Sequence, residues 1–247
     1  MLYRIEGVGF RYSDGALALD GVSAEIEQGE RIAIVGANGS GKSTLLKALN
    51  GLIEPSAGTI FFEGQALTEK ALRDARFQQE FRSRVGFVFQ DADAQLFNAT
   101  VAEELAFGPA QLGFEKREIE ERVSDVMEHL GIGYLAERAP FRLSGGEKRK
   151  VSIASILTMN PDVILFDEPF LALDPRTQAW FLRTMAQLQQ AGKTTIVATH
   201  TLSTLPEVAD RALVLGEDHR LLADVRIADL LGDAALLDRA GLAGLPV

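Results

Sequence analysis

The run Gly36-Ala37-Asn38-Gly39-Ser40-Gly41-Lys42-Ser43 stands between an unbroken apolar segment, Ile32-Ala33-Ile34-Val35, and a helix-patterned stretch, Ser43 to Leu49. A strand, a glycine loop and a helix in that order make backbone N–H groups converge on phosphate oxygens at a helix start, where the helix dipole also favours negative charge. The chain is thereby committed to an α/β fold, because a strand that is apolar without alternation must be covered on both faces. Lys42 is placed to reach β- and γ-phosphates and Ser43 to ligate Mg²⁺. A second glycine-rich turn, Leu143-Ser144-Gly145-Gly146-Glu147, leads into another helix. It is surplus to one nucleotide site, which implies that the site is built with a second copy of the chain.

The chain has 247 residues, enough to bury a sizeable core, and its 47% hydrophobic and 24% charged residues are ordinary for a globular protein. It contains no cysteine, which excludes disulfides and thiolate metal sites and fits a reducing compartment. No apolar run reaches the roughly 18 residues of a membrane span, and Met1 to Glu6 lacks the order of a signal peptide, so a cytoplasmic location is expected. A net charge of −10 argues against a nucleic-acid partner, since neutralising phosphates needs a clustered excess of Lys and Arg. Arg138 to Lys150 alone is locally basic, and reads as the solvated first turns of a helix.

Strand patterns occupy Leu2 to Phe10, Val22 to Ile26, Ile32 to Val35 and Thr59 to Phe62, then Val85 to Phe89. Two more buried strands, Val163 to Phe166 and Thr195 to Ala198, flank a helical stretch from about Arg176 to Gln190, and this alternation implies a parallel sheet. Val101 to Leu112, Lys116 to Leu130 and Glu147 to Thr158 are helical in period, with little strand signal between them. The expected organisation is a single domain with a core and β lobe from residues 1–91 and 161–225, an inserted helical lobe at 92–160, and a short tail at 226–247. The stretch after Val214 carries one more short strand and amphipathic helical pieces.

Asp167 and Glu168 follow the apolar run Val163 to Phe166, at the carboxyl end of a strand, where open α/β sheets bind ligands. Beside a phosphate loop, Asp167 suits Mg²⁺ and Glu168 suits a general base for an attacking water. His200 ends the last parallel strand on the same edge and can donate to a γ-phosphate oxygen. Gln90, ending Val85 to Phe89, suits either Mg²⁺ ligation and water orientation or a loop-satisfying bond. Tyr12, just before a turn, offers a ring that suits either an adenine or the neighbouring strands. Ser144 with Glu147 three residues on forms a capping-box pattern, and on pattern alone that reading of Leu143 to Glu147 is preferred.

Taken together, Gly36 to Ser43, Gln90, Leu143 to Glu147, Asp167-Glu168-Pro169, Leu173-Asp174 and His200 resemble, in order, the motifs of the ATP-binding cassette (ABC) ATPases. The resemblance covers Tyr3 to about Val225. It implies a RecA-like P-loop NTPase core with a parallel sheet, an antiparallel β lobe and an inserted α-helical lobe. It further implies that two copies sandwich two ATPs head to tail, with Tyr12 and the loop through Thr44 binding nucleotide and the partner's Ser144-Gly145-Gly146 facing it. Asp174 would bridge the dimer, Gln90 would sense a membrane partner, Glu168 would be the catalytic base and His200 would hold the γ-phosphate. That overrides the capping-box preference at Ser144.

A narrower likeness lies in Phe89 to Phe97 and Val101 to Pro109, which are similar to the ATPases of energy-coupling-factor (ECF) importers. Tyr12-Ser13-Asp14-Gly15 with Ala18-Leu19, and Glu147 to Lys150, look most like the cobalt and nickel branch, with the vitamin branch, including biotin, close to it. Such importers pair the ATPase with a transmembrane coupling protein and a substrate-binding membrane component, which implies a peripheral place on the cytoplasmic face of the membrane. Two departures stand out. Phe170 sits where the family has small residues and is expected to bear on dimer closure, and Thr201 follows His200 where an acid is common. Neither removes a catalytic group, so activity is expected to survive.

Overall fold

The computed structural model describes residues 1–245; Pro246 and Val247, the end of the expected tail, lie outside the described residues. Four strands, β1 (Tyr3–Arg11), β2 (Leu17–Ile26), β4 (Ala57–Phe62) and β5 (Gln65–Ala66), form an antiparallel sheet in the order β2-β1-β4-β5. The second sheet runs β10-β9-β3-β8-β7-β6, from β3 (Arg31–Val35), β6 (Val85–Val88), β7 (Val163–Asp167), β8 (Thr194–Thr199), β9 (Arg211–Leu215) and β10 (Leu221–Arg226). Its strands are parallel except for the β9–β10 pair. The parallel sheet is the α/β core that the glycine loop required, and the antiparallel sheet is the β lobe that the family resemblance implied.

Side chains alternate between the two faces of a strand, and the central sheet feeds two different cores accordingly. Ile32, Ile34, Leu165 and Ile196 join the cluster shared with the antiparallel sheet and α1 (Lys42–Leu49). Ala33, Val35, Phe166 and Val197 point the other way, into a cluster with Phe181 and Met185 of α7 (Pro175–Gln190). Phe166 and Phe181 meet edge to face at 5.3 Å, both fully buried. Removing a side chain of that size from water contributes roughly 1.5–3 kcal/mol.

Two short helices, α2 (Glu69–Leu72) and α3 (Ala75–Arg84), precede β6, each started by a side-chain cap, Thr68 and Asp74. The sequence reading left this stretch unassigned, because it is dense in charge and Phe81 is the one residue of α3 that is fully buried. Strand β2 begins at Leu17 rather than Val22, since irregular pairing with β1 and a left-handed Gly21 interrupt its alternation. The inserted helices are α4 (Val101–Gln111), α5 (Lys116–Leu130) and α6 (Gly145–Leu157), and they build a third cluster around Leu105, Leu130 and Val151. Trp180 of α7 ties that cluster to the sheet by donating its indole N–H to the Leu130 carbonyl at 3.1 Å.

After β8, a short α8 (Leu205–Val208) leads to β9. Beyond β10, α9 (Ile227–Gly232) and α10 (Ala234–Arg239) bury Ile227, Leu230, Leu236 and Leu237 in the core of the second face. The tail is thus packed against the sheet rather than trailing from it. No helix among the described residues is long and apolar enough to cross a membrane.

Candidate nucleotide site

Parallel pairing brings four strand ends to one edge. Val35 is in register with Thr199, Asp167 with Ala198, and Val88 with Phe166, so the residues that follow each strand emerge side by side. Those residues are Gly36, His200, Glu168 and, after Phe89, Gln90. A hydrogen bond from the Glu168 N–H to the Ala198 carbonyl at 2.9 Å continues the ladder one step past the β7 strand.

The loop between β3 and α1 is shaped for glycine at Gly41, whose φ is +106° and where a Cβ would lie 2.1 Å from the Ala18 carbonyl oxygen. No other residue fits that approach. Lys42 is buried, and its ammonium donates to the carbonyls of Gly36 and Ala37, both at 3.0 Å, while lying 3.5 Å from Glu168 Oε1. The same Oε1 is 2.9 Å from His200 Nδ1. Glu168 is itself buried with φ +43°, a left-handed conformation that costs a non-glycine residue about 1–3 kcal/mol and is typically kept at functional sites.

Ser43 Oγ donates to Asp167 Oδ1 at 2.6 Å. Burial pushes the Asp167 carboxyl up from its ordinary range, and the Ser43 bond opposes that. The Tyr12 hydroxyl and Thr44 Oγ1 are 2.9 Å apart, and the Tyr12 ring, half exposed, packs edge-on against Phe10 at 5.1 Å. Both readings of Tyr12 are therefore compatible, with one ring edge on the β-strand aromatic and the rest open to the cleft. That cleft has a volume of about 540 Å³ and is lined by Tyr12, Asn38, Gly39, Gly41 to Thr44, Gln90, Glu168 and His200. Ser40 Oγ, buried in the loop, has no protein partner.

Ala37 differs from its neighbours. Its N–H donates to the carbonyl of Ala240 at 3.0 Å, so this amide braces the loop against the tail instead of facing the cleft. Gly241 follows with φ +66°, and a Cβ there would lie 2.9 Å from the Ala37 Cβ and 3.0 Å from Glu217 Oε1. Gly241→Val is expected to displace the loop and weaken ATP binding by about tenfold, a loss of some 1.4 kcal/mol. Titration with a fluorescent ATP analogue checks this, and an unchanged Kd would mean that the tail does not hold the loop.

Leu143 to Glu147 lie elsewhere. Leu143 is buried in the helical cluster, whereas Ser144 and Gly145 are exposed. Ser144 caps α6 in a complete box: Glu147 Oε2 accepts from the Ser144 N–H at 2.9 Å and from its hydroxyl at 2.8 Å, and the Glu147 N–H reaches Ser144 Oγ at 3.4 Å. Bonds to Ser144 hold the Glu147 carboxyl below its usual range. The box engages the N–H groups of Ser144 and Glu147, and Gly145 between them stays exposed, so the cap stiffens the turn without covering it. At Gly146 a Cβ would lie 2.5 Å from Thr177 Oγ1, so α7 can approach α6 only at a glycine. Asp174 caps α7, its Oδ1 accepting from the N–H groups of Arg176 and Thr177 and its Oδ2 from the Thr177 hydroxyl at 2.6 Å.

Among the described residues, the lining of the cleft includes neither Leu143 to Glu147 nor Asp174. The two glycine turns do not meet within one chain. Two further placements correct the sequence reading. Phe170 turns inward and packs edge-on to Phe181 at 5.1 Å, so Leu171, half exposed, takes its place at the cleft. Arg149, in the basic run whose sequence reads as a solvated helix start, is buried, and it donates to the carbonyls of Phe89 and Gln90.

The pattern of the ABC transporter family matches residues 19–171, from the second strand through the carboxylate pair and Leu171. The chain belongs to the ABC transporter family. It is an ATP-binding, ATP-hydrolysing subunit of that family. It is 44% identical to the nickel import ATP-binding protein NikO of Rhodobacter capsulatus, over 97% of this chain and 95% of that one. It is 39% identical to the energy-coupling factor transporter ATP-binding protein EcfA of Methanothermobacter thermautotrophicus, over 98% of this chain and 76% of that one. Among solved structures it is similar to the ATP-binding cassette MJ0796, a dimer in a post-hydrolysis state bound to ADP and Pi, with a TM-score of 0.82 and 27% identity over 92% of this chain and 99% of that one.

Proposed function

We propose that this ABC subunit hydrolyses ATP in a head-to-tail dimer of cassettes and drives import through an ECF-type membrane complex, with nickel or cobalt ions as cargo. One observation carries the dimer: the cleft gathers Lys42, Gln90, Glu168 and His200 while the Ser144 turn of the same chain points to solvent. Such a site is half built, and a second copy, or a homologous cassette, supplies the other half.

The residues divide the work. Lys42 leaves the Gly36 and Ala37 carbonyls for the β- and γ-phosphates, and the N–H groups from Gly39 to Thr44 hold the phosphate chain at the start of α1. The partner's exposed α6 turn adds N–H donors from the opposite side. His200 turns from Glu168 towards the γ-phosphate. Glu168, released from Lys42 and His200, accepts a proton as the water oxygen bonds to the γ-phosphorus and the bond to the ADP oxygen breaks. Ser43 and Asp167 suit Mg²⁺: they pair a hydroxyl and a buried carboxylate 2.6 Å apart, and a cation restores the charge that burial disfavours. Gln90, which lines the same cleft, would complete that set. Mg²⁺ held there would supply positive charge against the charge that develops on the phosphate oxygens.

A groove beside Gln90 supports the membrane partner. Phe97 and Phe107 are exposed there and meet edge to face at 4.9 Å, next to Leu52 and Phe89. A cytoplasmic helix of the transmembrane coupling protein is the occupant that an apolar groove at the nucleotide sensor fits. Nickel or cobalt as cargo rests on the kinship with NikO. Coexpression with a transmembrane coupling protein and a substrate-binding membrane component of an ECF importer tests this reading. The chain should co-purify with them from detergent extracts, and Phe97→Glu should release it; a chain that stays in the soluble fraction in both forms would contradict a membrane role.

A further inference from the structure

Helix α6 starts at the exposed Ser144 turn, and its second turn carries Arg149, only 5% exposed. Arg149 Nη1 donates to the Phe89 carbonyl at 2.7 Å and Nη2 to the Gln90 carbonyl at 2.6 Å. Among the described residues it has no carboxylate within ion-pair distance, and burial lowers its pKa, with Asp91 and Asp167 opposing from farther away. A buried guanidinium is costly unless its N–H groups are well bonded, and apolar replacements of buried charges are often no less stable. Core stability alone is thus a weak reason for an arginine here.

A second side chain closes the same contact from the other direction. Gln95 Oε1 accepts from the Phe89 N–H at 3.1 Å, while Gln95 Nε2 donates to the Ser152 carbonyl at 2.7 Å and to Ser155 Oγ at 3.2 Å. Lys148 of α6 also pairs with Asp93. Strand β6 ends at Val88, so the backbone of Phe89 and Gln90 has left the sheet ladder. Both polar groups of Phe89 and the carbonyl of Gln90 are held instead by Arg149 or by a glutamine bonded to α6.

We propose that Arg149 and Gln95 are positioning residues for hydrolysis: they clasp the Phe89–Gln90 backbone to α6, so that Gln90 in one cleft and the Ser144 turn offered to the other cleft are set together. This rests on the reading of the chain as a dimeric ATPase. Through the clasp, a displacement of the Phe89–Gln90 segment carries α6 with it, as one packed unit rather than two independent loops.

Arg149→Met, Arg149→Lys and Gln95→Leu test the clasp in the full-length chain by two independent measurements. Amide hydrogen exchange at Phe89, whose N–H the clasp bonds, should rise about tenfold in Arg149→Met and Gln95→Leu, with the P-loop amides unchanged. The kcat for ATP should fall about tenfold in both variants at an unchanged KM, with Arg149→Lys in between and the double variant less than additive. Unchanged exchange overturns the clasp, and raised exchange with wild-type kcat overturns its role in positioning. If Arg149→Met does not fold, Gln95→Leu decides by the same two outcomes. A wild-type chain without any turnover would instead refute the dimeric-ATPase reading, while the exchange measurement would still read the clasp.

Discussion

Glu168→Gln is expected to lower ATP turnover by about 10²–10⁴-fold, the share of a rate that a general base supplies. The amide has the carboxylate's shape and can still bond His200 at the 2.9 Å contact, but it cannot take a proton from water. ATP binding should persist, because the loop donors from Gly39 to Thr44 are untouched. Binding without cleavage leaves the two-copy state closed, so the variant should accumulate as an ATP-bound dimer in light scattering, where the wild-type chain returns to monomer as ATP is consumed. Turnover at the wild-type rate would remove Glu168 as the base. Removing the charge also takes from Lys42 a neighbour 3.5 Å away. An altered affinity for ATP with normal turnover would therefore assign Glu168 to holding the lysine rather than to chemistry.

Much of this site was legible in the sequence because it lies at strand ends. Ile32 to Val35, Val163 to Phe166 and Thr195 to Ala198 are apolar runs that switch abruptly to glycine, carboxylate and histidine, and a parallel sheet must bring such ends to one edge. What stayed hidden is of three physical kinds. The brace between Ala37 and Ala240 joins two backbones, and alanine leaves no trace of it in the sequence. Arg149 lies in a basic run, and only the direction of its side chain on α6 separates it from Lys148 and Lys150. At Phe170 the family resemblance suggests a bulky side chain bearing on dimer closure, but the left-handed residues on either side, Glu168 and Ala172, turn Phe170 into the core and leave Leu171 outside. Helices α2 and α3 were missed for lack of a buried stripe, not for lack of caps.

Ser144→Arg is expected to abolish hydrolysis while leaving ATP binding by the single chain within about twofold, since Ser144 lies outside the cleft of its own chain. The substitution removes the cap of α6, worth about 1 kcal/mol, and sets a cation at the positive end of the helix. It also fills the space above Gly145, where no atom lies within 4 Å of a built Cβ. The loss falls on the cleft of the partner copy. Lys42→Ala has the complementary defect, a broken loop with an intact Ser144 turn. In a dimer of the two variants one cleft carries both defects and the other carries neither.

Mixing Ser144→Arg and Lys42→Ala chains is accordingly the most direct measurement of whether two copies build one site. Each variant alone should show background turnover. An equimolar mixture should recover up to about a quarter of the wild-type rate, because half of the dimers pair unlike chains and each of those has one whole cleft of two. Turnover in the mixture no greater than the average of the separate variants would contradict a cleft shared between chains.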